Sequence, residues 1–199
     1  MTTGHVFVVA SGFGKRVIPK APPFTFRLEA NHTLAVGMGD LTATVGPDQS
    51  VADAAAKTAD LADVTIGPAW PTWWLETHPY RVPLPAGWTA YASGGSAPSV
   101  FDLVGPHESM IFIQVPRRVP ALDQMVAPGQ ELIERGSFAA GDWIAVQYTE
   151  AGHVYIQRHV LVCVEKLTAV VTLQCLATAI TLVAPTHESL ADALRPGED

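Results

Sequence analysis

The side chains with the most obvious chemical capacity are seven histidines, His5, His32, His78, His107, His153, His159 and His187, two cysteines, and serines set among glycines. A helical metal or acid–base site needs histidines four apart, or His-Glu-x-x-His, so that two groups share one face. No pair of histidines here has that spacing. Gly12-Phe13-Gly14-Lys15-Arg16 has the glycines and the lysine of a phosphate loop but neither the full spacing nor a Ser/Thr-headed helix after it, so a surface turn is expected. Tyr91 to Ser99 places serines beside glycines without Gly-x-Ser-x-Gly, and reads as a hairpin loop. His107-Glu108-Ser109 and His187-Glu188-Ser189 repeat a tripeptide, the first in a loop and the second at an expected helix start, where capping explains it. No catalytic residue, metal site or cofactor is assigned.

Two groupings remain. Trp70, Trp73 and Trp74 fall within 67–79, a stretch with three prolines, where aromatic anchors could concentrate binding energy. Arg158, His159, Tyr155 and Gln157 are consecutive enough to line a ligand pocket. The balance favours a partner-binding surface at the tryptophans over a pocket at Arg158.

The elements that must position these groups come from a chain of 199 residues with 48% hydrophobic composition and a mean hydropathy of +0.22. That apolar content excludes a disordered chain. Twelve Lys+Arg against 19 Asp+Glu, a net charge of −7 without a basic block, argues against a nucleic-acid surface. The N-terminus has no basic run before its short apolar stretch Val6 to Ala10, so a cytoplasmic location is expected. Leu167 to Pro185 is free of charge, but its threonines, Gln174 and early β-branched residues favour strand over a membrane span.

Phe24 to Glu29 alternates with period two. Thr33 to Val45 reads as a hairpin broken near Gly39-Asp40. Ser50 is placed to cap an alanine-rich helix running to about Val64, with Asp53 at the capping-box offset. Strands follow at Tyr80 to Leu84, Ser99 to Val104 and Met110 to Val115. Leu122 to Glu134 reads as a broken helix. Three strands, Trp143 to Tyr148, His153 to Glu165 and Leu167 to Leu176, precede a terminal helix from Pro185 to Leu194. Placing Glu165-Lys166 in a two-residue turn pairs Val164 with Leu167, Val160 with Val171 and Ile156 with Cys175 on one apolar face. Cys163 then faces away from Cys175, which excludes a bridge between them. The same register sets Arg158 on the apolar face opposite Leu173, where a charge needs an acidic partner or a wet cavity.

Leu84-Pro85-Ala86-Gly87-Trp88, Gly141-Asp142-Trp143 and Ser189-Leu190-Ala191-Asp192-Ala193-Leu194, in this order of elements, resemble the PsbP-like superfamily, which includes the DcrB-like bacterial proteins, over about 120 of the 199 residues. The resemblance implies an α/β sandwich without a shared catalytic site, and adaptor, assembly or secretion-associated chaperone roles. The expected fold is α+β, an antiparallel sheet packed by helices with a β-rich N-terminal extension. Residues 1–66 form the extension, 67–79 a connector and 80–199 the sandwich. The expected function is binding of another protein, of adaptor, chaperone or immunity type. The alternatives are a small-molecule binder or enzyme using Arg158, or a subunit of a homo-oligomer.

Overall fold

The computed structural model describes residues 8–93 and 99–197, so His5 and most of the Tyr91–Ser99 loop lie outside the described residues. The fold is α+β, dominated by antiparallel sheet with two α-helices. The chain parts into two compact units, residues 1–101 with 197–199, and residues 102–196. The expected break at 67–79 differs from this division. Within that segment Trp74–Glu76 joins a sheet of the first unit, as do Tyr80–Pro83 and Thr89–Ala92 after it.

In the first unit, β1 (Val9–Gly12) and β2 (Lys15–Pro19) form a hairpin. Its turn, Phe13-Gly14, has φ of 53° and 74°, the positive pair a two-residue hairpin turn requires. The phosphate-loop glycines are thus a turn, as expected. Its amides are also engaged: Phe13 N–H donates to the Trp70 carbonyl and Gly14 N–H to that of Pro68. β3 (Phe24–Leu28), β4 (Leu34–Met38) and β5 (Leu41–Val45) follow, with β4 and β5 joined at Gly39-Asp40 as expected. α1 (Val51–Thr58) starts at Ser50, whose Oγ accepts from Asp53 N–H at 3.1 Å.

The helix does not continue to Val64. Ala62–Ile66 is β6, paired with β2, because Ala62 and Val64 turn inward with period two while Asp63 and Thr65 turn out. β7 (Trp74–Glu76), β8 (Tyr80–Pro83) and β9 (Thr89–Ala92) complete the unit. One sheet runs β8-β7-β1-β2-β6 and another β9-β3-β4-β5, all antiparallel. Proline density between 67 and 79 did not prevent β7, since the backbone of Ser11, Ala10 and Val9 pairs with it.

The second unit takes up β10 (Ser99–Val104), which spans the division, and β11 (Met110–Gln114), β12 (Glu131–Phe138), β13 (Gly141–Glu150), β14 (His153–Val164), β15 (Leu167–Leu176) and α2 (Ile180–Ala193). The sheet order is β12-β13-β14-β15-β11-β10. The β14–β15 register is the expected one throughout, with Val164 opposite Leu167, Arg158 opposite Leu173 and Ile156 opposite Cys175. Both cysteines are free, Cys163 exposed and Cys175 buried. The expected broken helix at Leu122 to Glu134 is instead a single 3-10 turn, Leu122–Met125, and the edge strand β12. Pairing with β13 decides the latter.

α2 begins five residues before Pro185, not at it. A proline inside a helix removes a hydrogen bond, yet Val183, His187, Leu190 and Ala191 bury one continuous face, and that packing outweighs the local cost. His187-Glu188-Ser189 therefore lies mid-helix rather than at a cap. No helix among the described residues is long and apolar enough to cross a membrane.

Candidate functional site

The residue that breaks the pattern of β14 organises the site. Strand parity sends Arg158 to the face that α2 covers, with Ala145 across on β13 and Leu173 across on β15. It is only 8% exposed there. Its Nη1 donates to Glu188 Oε1 on α2 at 2.6 Å. The guanidinium carbon lies 3.9 Å from the centroid of the Trp143 ring and 5.5 Å from that of Phe138. A guanidinium over an indole gains electrostatically from the ring quadrupole, and more so once both are out of water. Trp143 reaches this place because Gly136, opposite it on β12, carries no side chain: a Cβ there would fall 2.6 Å from the indole Cζ2.

Beside this arginine is a cavity of about 250 Å³, lined by Ile133, Glu134, Trp143, Ala145, Ile156, Arg158 and Ile180. Its walls are aliphatic and aromatic except for one carboxylate and one guanidinium. Of the arginine's nitrogens, Nη1 holds Glu188 and Nε is buried without a partner. Nη2 is neither bonded within the described residues nor among the buried unpartnered atoms. Glu134 offers acceptors on the opposite side of the charge balance.

The four residues expected to share a pocket do not come together. Arg158 is even-numbered on a strand whose odd-numbered residues face the other way, so His159, Tyr155 and Gln157 occupy the opposite face of the sheet. His159 Nδ1 lies 2.9 Å from Thr172 Oγ1 and its Nε2 is buried without a partner. Burial pushes its pKa down to about 4. Gln157 donates to Gln174 and accepts from Gln130 at 2.7 and 2.8 Å. Tyr155 stacks on Tyr148 with centroids 5.5 Å apart. Behind Arg158, the wholly buried His187 donates from Nε2 to the Val171 carbonyl at 3.1 Å, which fixes its tautomer. Burial lowers this pKa to about 4 as well, helped by the positive Arg158, so the ring is neutral.

The three tryptophans also divide. Trp73 has 0% exposure, donates its Nε1–H to the His32 carbonyl at 2.8 Å and lies against Phe13. It belongs to the core of the first unit and offers no surface. Trp70 and Trp74 are half-buried with centroids 5.6 Å apart, and Arg81 lies 5.1 Å over the first ring and 6.0 Å over the second.

Reading the sequence found Arg158 and missed Trp143, Glu188, Gly136 and the wall residues. Trp143 could have been found by extending the strand register one strand further. Glu188 could not, since it arrives by helix packing. No protein-family model matches the chain, and no curated protein shows significant similarity to it.

Proposed function

We propose that this chain is a binding protein rather than a catalyst, and that it holds its partner by taking one apolar group into the cavity beside Arg158. The observation that carries this is a cavity walled by Ile133, Trp143, Ala145, Ile156 and Ile180 beside a guanidinium already held by Glu188. A guanidinium carries only donors, and this one is held by Glu188 and set over Trp143, so it shapes the cavity rather than acting as a nucleophile or base. The volume lies below the range of about 300–1,000 Å³ usual for drug-sized ligands, and suits a single side chain of a larger partner. The resemblance to the PsbP-like superfamily, with its adaptor and chaperone members, supports the same reading.

The test is to isolate the protein gently from its host, identify any stoichiometric protein by native mass spectrometry, and repeat with Ala145→Leu. Ala145 lines the cavity, and leucine there fills it. The partner should be retained by the wild type and lost from the variant at unchanged circular dichroism. Retention by the variant would overturn the cavity as the binding site. A wild-type protein that carries a small molecule and no protein would move the reading to a small-molecule binder.

A further inference from the structure

Resting on that reading, we infer that the cavity's occupant is a side chain of an extended, basic polypeptide segment that adds as a strand to the outer edge of β12 along Glu134–Phe138. β12 ends the sheet order of its unit, so no strand among the described residues pairs with its outer side. An edge strand presents a row of N–H and C=O groups that another extended chain can satisfy, while pockets for alternate side chains supply specificity. Here the pocket and the edge are one feature, because Ile133 and Glu134 of β12 themselves wall the cavity. A segment lying along this strand is therefore brought to the mouth of the cavity.

The ladder sets the limits of pairing. A bulge shifts the β12–β13 register between Leu132 and Glu134, and from Glu134 to Phe138 the pairing is regular. Bulges blunt an edge locally, which leaves the five regular residues as the template. Ile133, in the bulge, is 43% exposed beside it.

Charge selects the occupant. Arg135 is engaged by Asp123. Glu131 and Glu134 have no ion pair among the described residues. Glu131, just before the bulge, and Glu134, at the cavity wall, are thus two carboxylates without a close cation, which a lysine or arginine on the incoming segment complements. A second copy of this chain would instead bring the same two carboxylates and a further net charge of −7.

The experiment uses the full-length protein, ¹⁵N-labelled, titrated with a capped synthetic peptide Lys-Thr-Leu-Thr-Lys and with the same peptide N-methylated at both threonines. The expected result is that amide shifts map to 134–138 and the cavity walls, that N-methylation weakens binding about tenfold or more, and that Ala145→Leu weakens both peptides. If Ala145→Leu abolishes binding while N-methylation changes nothing, strand addition is overturned and the cavity reading stands. Should neither change matter, or the peptide not bind at millimolar concentration, the inference fails here, and the host-partner experiment decides the cavity separately. A concentration-dependent dimer that crosslinks through Ser137→Cys would overturn it in favour of a second copy.

Discussion

Each unit sets an arginine against tryptophan, and the two arrangements do different work. In the first, Arg81 lies 5.1 and 6.0 Å over Trp70 and Trp74, and all three side chains keep part of their surface in water. Such a partly exposed contact contributes about 0.5–1 kcal/mol. In the second, Arg158 is 3.9 Å over Trp143, buried, and bonded to Glu188. Its charge has been taken out of water, and each nitrogen without a partner carries a desolvation cost. A group entering beside it meets a cation already oriented by Glu188 and Trp143 and enclosed by the cavity walls. The buried arginine is therefore the better place for recognition, even though the tryptophan strip is the more conspicuous in the sequence.

The largest effect expected separates the tryptophans themselves. Trp73→Ala should cost about 3–5 kcal/mol in urea unfolding, the usual range for emptying a buried aromatic site. A cost near that of an exposed substitution would mean that Trp73 belongs with its neighbours on the surface.

Next comes the ion pair. Glu188→Gln should destabilise by about 1–2 kcal/mol, less than a fully buried pair because the Glu188 side chain is 43% exposed. Adding Arg158→Met should restore most of the loss, since an apolar side chain of similar volume needs no partner. The same pair of changes in a double-mutant cycle should show strong coupling. If Glu188→Gln is neutral, Arg158 is better hydrated than its burial indicates.

How far these features are legible in the sequence depends on which interactions fix them. The β14–β15 register is legible because a two-residue turn at Glu165-Lys166 sets the alignment and lines up an apolar face interrupted by Arg158 alone. Arg158 is legible for the same reason, as the charge that alignment strands among apolar residues. What completes the site is tertiary. Glu188 comes from a helix whose apparent start at Pro185 hid its true beginning at Ile180. β12 has a charged, half-helical pattern that only its pairing with β13 turns into a strand. Strand parity alone separates His159, Tyr155 and Gln157 from Arg158, so that division too is legible in the sequence.

Acid should distinguish the two units. The buried histidines among the described residues, His159 and His187, both lie in the second, with pKa values lowered from 6.5 to about 4. Between those values the unfolded chain binds protons that the folded one excludes, so stability rises with pH across this window and is lost on acidification from 6.5 towards 4. The slope should be about 1 kcal/mol per pH unit for each histidine. Hydrogen exchange at pH 7 and pH 5 should show protection falling in β14, β15 and α2 more than in β1 to β9. Equal loss in both units would remove the histidines as the cause, and His187→Gln with His159→Gln should flatten the difference.

The smallest effect concerns the surface grouping. Trp70→Ala should cost less than about 1 kcal/mol, because it removes a half-buried ring and one partly exposed cation–π contact. The carbonyl that receives the Phe13 N–H belongs to the Trp70 backbone and survives the change, so the β1–β2 turn should keep its anchor. The informative readout is binding. Because recognition is assigned to the second unit, a host partner should be retained when Trp70 and Trp74 are both replaced by alanine in folded protein. Loss of that partner would reverse the comparison: Arg81 and its two rings would then be the recognition surface, and the buried arginine a structural ion pair.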